Sequence, residues 1–537
     1  MTDPATDMTQ KEESDNAPNS VRIDPGGNGT TLDNNPPPNE ENRTLYTASH
    51  EPARDAEANH LAQDEKDPFD VDWDGGDDDP LCPRSFNKTK KWLIVAIVSH
   101  VSLCLTCASS IYTSTYSGMQ KDFHNSRIVS VLGLSTFVLG VSFGPMFLSP
   151  LSEFYGRRPI YLVSWTMYVV LLIPQAVAKN IATIIIFRFF GGFAGSAFLA
   201  VSGGTVGDLF SKNELQAPMA LFSVAPFIGP SLGPLLGGFI NYNVGWRWTY
   251  YVLIIWSFAV WIAIVFLVPE TYHPILLRNK AQMMRKETGD SRWVAPMEKV
   301  RKSPIRGLGL SLLRPFQLLI FEPMCLNLCI FSALLLGIIY LFFGAFPLVF
   351  GDIYGFNLWQ NGVSFLGIMV SMLLGVATDP IWRRVRDNLI RKHERETGLK
   401  GKSEPEFRLP PAILGSILVP CGLFIFAWST YPWVHWIVPI VGSGFFGIGS
   451  VLVFTGIFTF LVDAYPLYAA SALAANSFLR NIFAAAFPLF GNQMYESLGY
   501  QWGSSLLAFL TLAMLPFPYI FFVTGMKIRR KSRFATY

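Results

Sequence analysis

The chain has 537 residues, of which 50% are hydrophobic and only 15% are charged. Because a soluble domain carries about 25% charged residues, this composition excludes an ordinary soluble globular protein and favours a membrane protein. The formal net charge of +3 is the sum of an acidic N-terminal tail and basic loops later in the chain.

Residues 1–87 are rich in Asp, Glu, Asn, Pro and Gly and contain few aliphatic clusters. Such a segment cannot bury enough apolar surface to offset the entropy of ordering, so we predict a disordered acidic tail. Its most acidic part, residues 70–79, could be a calcium loop, but it lacks the closing Glu and the flanking helices. A solvated tail is therefore expected.

Twelve apolar runs follow, each close to the roughly 20 residues that cross a bilayer as a helix. They cover about 92–116, 128–152, 159–178, 181–207, 215–240, 249–268, 323–349, 361–379, 410–428, 433–462, 469–491 and 504–526. The predicted fold is an all-α membrane protein with 12 transmembrane helices in two pseudo-symmetric six-helix bundles. The predicted boundaries are 88–271 for the first bundle, 272–322 for a linker, 323–526 for the second bundle and 527–537 for a C-terminal tail.

The distribution of basic residues predicts the orientation. The linker and the C-terminal tail are basic, whereas the loops at 350–360, 429–432 and 496–503 contain neither Lys nor Arg. Because Lys and Arg concentrate on the cytoplasmic side, we expect both termini and the linker in the cytoplasm of a plasma-membrane protein.

A short polar loop between the second and third runs occurs again in the second half. In Ser149–Arg158 an acid is followed four and five residues later by two arginines, and Gly375–Arg384 repeats this order 226 residues later (379 − 153). Two copies at corresponding places indicate a duplicated membrane protein.

From about Lys88 to the C-terminus the chain resembles the major facilitator superfamily, because it has two six-span halves, a basic linker and this repeated loop. The signature of that superfamily is G-x-L-a-D-r-x-G-r-k, from which Ser149, Glu153, Phe154 and Trp382 depart. The resemblance implies a charged latch that holds the outward-facing state, and an ordinary surface ion pair is the alternative. The latch residues would be Glu153, Arg157, Arg158, Asp208, Asp379, Arg383 and Asp463.

The fifth run has glycines at every fourth position. Gly229, Gly233 and Gly237 would form a smooth stripe on one helix face, where a neighbouring helix can approach closely. The run resembles the antiporter signature G-x-x-x-G-P-x-x-G-G. The chain also resembles the fungal twelve-span drug:proton antiporter family at residues 245–248, 269–272 and 408–411. Generic glycine packing is the alternative. The antiporter motif would comprise Gly229, Pro230, Gly233, Pro234, Gly237 and Gly238.

Arg188 lies inside the fourth run, where an arginine must find partners. The resemblance places it in the proton-coupling path, and the alternative is a structural arginine bonded to backbone carbonyls. No Asp or Glu lies deep within a run, so neutral or weakly acidic compounds are favoured over strong cations. Candidate residues of the substrate cavity are Tyr340, Phe343, Asn476, Phe478 and Arg480.

The expected function is proton-coupled efflux of amphipathic organic compounds, such as drugs, toxins or secondary metabolites, by alternating access. The alternatives are a transporter for a defined nutrient or polyamine, and a non-transporting receptor on the same scaffold. The sequence has no ATP-binding G-x-x-x-x-G-K-[ST] loop, which excludes direct coupling to ATP. It also has no nucleophile–base arrangement, so we expect no enzyme activity. The expected partners are a small substrate, protons and the lipid bilayer; no nucleic acid, cofactor or metal is expected, and the chain would be a monomer.

Overall fold

The computed structural model describes residues 69–211, 214–299, 304–398, 403–530 and 532–535. Within these ranges the elements are helices, apart from an isolated bridge that pairs Asp70 with Val294. The disorder predicted for residues 1–68 lies outside the described residues.

Six membrane-spanning segments lie in the part of the first half that the structure describes. Helices are required there because the lipid offers no hydrogen bonds to the backbone. The segments are span 1 (Lys88–Ile111), span 2 (Arg127–Tyr155), span 3 (Arg157–Ala176), span 4 (Ile181–Gly195 with Ala197–Leu209), span 5 (Gln216–Asn243) and span 6 (Trp246–Leu267). A short helix, Tyr116–Phe123, follows span 1.

The linker and the first part of the second half are also helical. The linker contains His273–Thr288, Pro296–Lys299 and Pro304–Phe321. The spans that follow are span 7 (Pro323–Leu348), span 8 (Leu358–Ser364 with Leu366–Ala377), span 9 (Pro410–Trp428) and span 10 (Ile437–Ala464). Between spans 8 and 9 lies an additional polar helix, Asp379–Thr397.

The last two spans form one nearly continuous helical stretch, Ala469–Met514 followed by Pro516–Arg529. The first of these helices has 46 residues, so at 1.5 Å per residue it would be about 70 Å long if straight, twice what a bilayer needs. Gly499 interrupts it with φ 77° and ψ 165°, and the Tyr495 and Ser504 hydroxyls lie 3.2 Å apart across the break.

The chain therefore reverses at Gly499, with span 11 before it and span 12 after it. The described residues contain 11 apolar segments long enough to cross a membrane, and the last of them holds two passes. The predicted twelve-span fold is confirmed.

Gly156 makes the same kind of turn between spans 2 and 3, with φ 99° and ψ 167°. This conformation is open to glycine and strained for other residues, so a single residue suffices between the end of span 2 and the start of span 3. The turn places Arg157 and Arg158 at the first positions of span 3.

The bundle has two ends. The linker end is the end that holds the helices of residues 273–321, and it also holds the Gly156 turn. The far end is the opposite one and holds the Gly499 turn.

Residues 69–87 differ from the predicted disordered tail. Val71 packs with Ala281 and Ala295 of the linker in a small apolar cluster, and the Val71 N–H donates to the Val294 carbonyl at 3.1 Å. Composition alone indicated disorder, but this segment gains its buried surface from the linker, some 200 residues later in the chain. The acidic run is thus an ordered part of the linker end.

Candidate functional site

The glycine stripe of span 5 lies directly against the backbone of span 1. A Cβ atom added at Gly229 would lie 2.9 Å from the Cys107 nitrogen, and one at Gly233 would lie 2.5 Å from the Ile111 nitrogen. At Gly237 the added atom would lie 2.9 Å from the Ile111 carbonyl oxygen. Since side chains do not fit at such distances, any larger residue would push the two helices apart.

Gly238 faces the other half of the molecule. An added Cβ would lie 2.8 Å from the Leu358 carbonyl oxygen of span 8. In return, a Cβ at Gly362 of span 8 would lie 2.6 Å from the Pro234 carbonyl oxygen. Pro230 is buried in the same helix, one turn before Pro234. Spans 5 and 8 therefore meet backbone to backbone at the far end.

Two of the predicted cavity residues belong to this closed far end. The Tyr340 hydroxyl of span 7 lies 2.9 Å from the Ser109 hydroxyl of span 1, which joins the two halves. Beside it, Phe343 and Asn492 face Tyr116 across a gap of about 10 Å³, room for about one water molecule. The far end is sealed in this structure.

At the linker end, Arg157 is the centre of the first charged cluster. Its Nε lies 3.3 Å from Asp208 Oδ2, its Nη1 donates to the Ser152 hydroxyl at 2.8 Å, and its guanidinium lies 4.5 Å from the centre of the Tyr272 ring. Burial, together with the nearby Glu153 carboxylate, raises the pKa of Tyr272. Glu153 itself is exposed and makes no hydrogen bond or ion pair with the described residues.

A carboxylate without a predicted role completes this cluster. Glu270, just after span 6, accepts the backbone N–H groups of Arg157 and Arg158 at 2.9 and 3.0 Å. It thereby satisfies two free donors at the N-terminus of span 3, where a negative charge is favourable. The Arg158 side chain is exposed and donates to the Val265 carbonyl at 3.1 Å. The signal for Glu270 in the sequence is its place in the 269–272 motif.

The second charged cluster differs from the predicted one. Asp379 pairs with Arg383 one helical turn away, whereas Asp463 binds Arg408, with Nε and Oδ2 2.6 Å apart. Arg383 lies on the helix Asp379–Thr397, which begins within the second copy of the loop and has no counterpart among the described residues of the first half. Arg408 instead lies directly before span 9, as Arg157 lies at the start of span 3, so the structure brings Arg408 and not Arg383 to Asp463.

Arg188 is bonded to backbone carbonyls. Its Nε donates to the Gly133 oxygen of span 2 at 2.7 Å, and its Nη2 donates to the Ser109 oxygen of span 1 at 3.2 Å. Its guanidinium also lies 4.0 Å from the centre of the Tyr112 ring and 4.6 Å from that of Phe137. This geometry agrees with the structural alternative, because Arg188 joins spans 1, 2 and 4 and binds no acidic side chain among the described residues.

Arg480 of span 11 has a different environment. Within the described residues it makes no hydrogen bond or ion pair, and its Nε is enclosed without a partner. Its guanidinium lies 5.5 Å from the centre of the Phe454 ring and 5.0 Å from that of Phe458, both in span 10. The ring of Phe454 in turn stacks on Phe227 of span 5 at 5.6 Å. Arg480 is therefore next to the contact between the two halves.

The other predicted cavity residues of span 11 contact different neighbours. Asn476 is buried and donates to the Ser332 hydroxyl of span 7 at 2.6 Å. Phe478 lies between Phe143 of span 2 and Phe316 of the linker, with ring centres 5.5 and 5.2 Å away. The five predicted cavity residues are thus divided between the far-end seal and the region around span 11.

A larger cavity, of about 750 Å³, lies between spans 8 and 10 and contains none of these residues. Among its lining side chains are Val370, Leu374 and Val441, each about half exposed on the outside of the bundle. An apolar groove on the outside of a membrane protein faces lipid, so this cavity is not part of the candidate site.

The acidic segment reaches the first charged cluster through the linker. Lys280 of the linker lies 2.7 Å from Asp79. Burial alone would raise the pKa of Asp79, but the hydrogen bond from Lys280 lowers it. Burial alone would lower the pKa of Lys280, but hydrogen bonds to carboxylates such as Asp79 raise it. Trp73 packs edge-on against His273, whose Nε2 lies 2.8 Å from the Asp208 carbonyl oxygen. A chain of contacts therefore joins the acidic segment to the Arg157–Asp208 pair.

The family model described as Major Facilitator Superfamily matches residues 98–488 of this chain. The chain belongs to the major facilitator superfamily. The match covers both halves of the bundle, so the superfamily predicted from the loop and the span count is confirmed.

Curated relatives are similar along most of their length. "Efflux pump atB" of Aspergillus terreus is 56% identical over 460 residues, which cover 86% of this chain and 89% of the relative. "Probable drug/proton antiporter YHK8" of Saccharomyces cerevisiae is 41% identical over 454 residues, or 84% of this chain and 87% of the relative. These names agree with the predicted fungal drug:proton antiporter family.

Solved structures agree on the fold. The human organic anion transporter MFSD10 aligns with a TM-score of 0.57 at 17% identity, covering 80% of this chain and 99% of the other. The xylose transporter XylE from E. coli aligns with a TM-score of 0.55 at 14% identity, covering 79% and 98%. At such identities the likeness concerns the fold alone.

Proposed function

We propose that this protein is a proton-driven exporter of amphipathic organic compounds, such as drugs, toxins or secondary metabolites. The observation that carries this proposal is the glycine stripe of span 5 packed on the backbone of span 1. This contact fits the signature typical of drug:proton antiporters. The relatives named as an efflux pump and a drug/proton antiporter support the same function.

The proposal includes an orientation. The linker end carries the basic linker and the basic C-terminal segment, so it would face the cytoplasm of a plasma-membrane protein. The far end, sealed here, would open to the outside. The protein would work as a monomer without a cofactor or catalytic residues, with the proton gradient as its energy source.

Alternating access would break and remake the far-end seal. The hydrogen bond between Tyr340 and Ser109 is a neutral one, worth about 0.5–1.5 kcal/mol net, so binding energy or a proton gradient suffices to break it. At Gly238 the backbones of spans 5 and 8 meet directly, and the rings of Phe239 and Trp359 stack beside this contact with their centres 5.8 Å apart. The halves would separate there by unstacking these two rings and would return to the same fit.

The charged clusters at the linker end would form the latch on the cytoplasmic side. Arg157 with Asp208 would serve the first half and Arg408 with Asp463 the second, with Glu270 holding the start of span 3 in place. Arg188 would act on proton coupling through the three spans that it joins, rather than by contact with the substrate.

The distribution of acids supports a preference among substrates. In the described spans, Asp and Glu lie within about one turn of a span end. A cation placed in mid-membrane without a counter-charge costs at least about 2.5–3.5 kcal/mol, so strong cations would be poor substrates. Neutral and weakly acidic amphipathic compounds would be exported better than spermine.

Transport in inside-out plasma-membrane vesicles tests the proposal. With an acidic lumen, vesicles from an overexpressing strain should accumulate 2-naphthoate, and vesicles from a deletion strain should not. Passive distribution would exclude a weak acid from an acidic lumen, so accumulation there requires coupled transport. If neither 2-naphthoate nor a neutral hydrophobic drug responds to the gradient, or if spermine responds instead, the proposed function is wrong.

A further inference from the structure

We propose that Arg480 is the binding site for the anionic group of the substrate, and that this group is a carboxylate on an aromatic or aliphatic body. The inference rests on the proposed function and names the substrate class of the same pathway. It follows from the lack of hydrogen-bond and ion-pair partners of the Arg480 side chain among the described residues, from its position and from the groups around it.

The guanidinium of Arg480 lacks the partners that a cation in a membrane protein requires. Its Nε is enclosed without a hydrogen-bond acceptor, and within the described residues the side chain has no carboxylate to pair with. The rings of Phe454 and Phe458 offer the cation only partial compensation, because cation–π attraction replaces neither its hydration nor a counter-ion. An intramembrane arginine in this state is a functional-site candidate.

The position of Arg480 suits a substrate that crosses between the halves. It lies eleven residues into the helix that begins at Ala469, which is about 16 Å from that end of span 11. Phe454, beside it, stacks on Phe227 of the first half, while the far-end seal at Tyr340 lies toward the opposite end. A ligand at Arg480 would therefore contact both halves on the linker side of the seal.

The chemistry of the surroundings indicates the ligand. A guanidinium presents a planar pair of N–H donors that matches the two oxygens of a carboxylate. One arginine balances one negative charge, which favours a monocarboxylate over a phosphate dianion. Phe227, Phe454 and Phe458 supply apolar faces for the rest of the molecule. An amphipathic monocarboxylate in its ionised form satisfies both parts of the site.

The test uses the purified full-length protein and two probes of nearly equal shape, 2-naphthoate and 2-naphthamide, at pH 7.5. Binding is followed by quenching of the intrinsic tryptophan fluorescence. Arg480→Gln should raise the Kd of 2-naphthoate at least about tenfold, since each tenfold corresponds to about 1.4 kcal/mol, and should change the Kd of 2-naphthamide less than twofold. Arg480→Lys, which keeps the charge but not the planar fork, should lie between.

Arg391→Gln is the matched control, because Arg391 is an exposed arginine on the helix between spans 8 and 9. It should leave both dissociation constants unchanged. If Arg480→Gln weakens the binding of both probes equally or of neither, Arg480 has only a structural role and the inference is wrong. The inference is also wrong if the wild type does not bind the carboxylate more tightly than the amide. Such a result leaves proton-driven export intact, because the vesicle experiment with a neutral drug tests that function separately.

Discussion

Arg188 and Arg480 are arginines within the spans, one in each half, and they differ in what surrounds the charge. Arg188 donates to carbonyl oxygens of spans 1 and 2 and lies against two rings. Arg480 has two rings and no acceptor among the described residues. A charge that the fold itself satisfies holds the fold together, whereas a charge left unsatisfied is available to a ligand. The same residue type in the same kind of span can therefore have opposite roles.

The largest expected effect is the loss of Arg188. Arg188→Gln leaves the Gly133 and Ser109 carbonyls without their donor and creates a void between three spans, so we expect a destabilisation of about 3–5 kcal/mol. Arg480→Gln breaks no hydrogen bond with the described residues and should change stability by about 1 kcal/mol or less. Thermal unfolding followed by size-exclusion chromatography in detergent measures both, and equal losses would remove the distinction between the two arginines.

The next largest loss of stability is expected where span 5 packs on span 1, one of the helices to which Arg188 donates. Gly233→Ala places a Cβ 2.5 Å from the Ile111 nitrogen, close to the span 1 carbonyl that binds Arg188. Overpacking of this kind costs about 1–3 kcal/mol, and it should also reduce transport by disturbing the contact of spans 1 and 5. Gly207→Ala is the control, because nothing lies within 4 Å of its added Cβ. Thermal stability and vesicle transport would show whether the two variants differ; equal tolerance means that the stripe is not a tight interface.

A smaller effect on stability is expected at the linker end, where water can replace a lost partner. The Arg408 and Asp463 side chains are each about 30% exposed, so Asp463→Asn should cost about 1 kcal/mol or less. If the pair is a latch, however, the transport rate should change several-fold while the Kd of 2-naphthoate stays the same. Asp387→Asn, an exposed acid on the helix before span 9, should alter neither. A wild-type rate in Asp463→Asn vesicles would exclude the latch.

The smallest effect on transport is expected from the acidic segment that packs on the linker. Its buried charge at Asp79, like that of Arg188, has partners within the fold. The pKa of Asp79 is lowered from 3.8, so its contribution is present above that value and is lost as pH falls through the folded pKa. The pKa of Lys280 is raised from 10.5, so its contribution is present below that value and is lost as pH rises through the folded pKa.

Docking of residues 69–85 should therefore be independent of pH between about 5 and 9 and should weaken in stronger acid. Hydrogen exchange of these amides, compared between the wild type and Asp79→Asn, measures it. A change of protection near pH 6.5 would show that a group other than this pair controls docking.

Sequence reasoning succeeded where the signal is local. The spacing of Gly229, Gly233 and Gly237 by itself defines one helix face, and the structure places that face against a helix backbone. The exclusion of acids from the spans likewise follows from the cost of burying them.

It was incomplete where partners lie far apart in the chain. The repeat suggested Arg383 as the partner of Asp463, but the inserted helix Asp379–Thr397 moves that arginine away and leaves the place to Arg408. The order of residues 69–87 depends on Lys280 and Val294, which composition cannot indicate. Nor could sequence show which of the two arginines finds its acceptors in the backbone.

Reversing the charge at position 480 tests most directly whether this arginine selects the substrate. Proteoliposomes with the wild type should exchange 2-naphthoate at pH 7.5 and not ethidium, a permanent cation. With Arg480→Glu, exchange of 2-naphthoate should disappear and exchange of ethidium should appear, because the site would then carry the opposite charge. A gain of ethidium exchange cannot result from misfolding, whereas an Arg480→Glu protein that still exchanges 2-naphthoate like the wild type would contradict an anion site at Arg480.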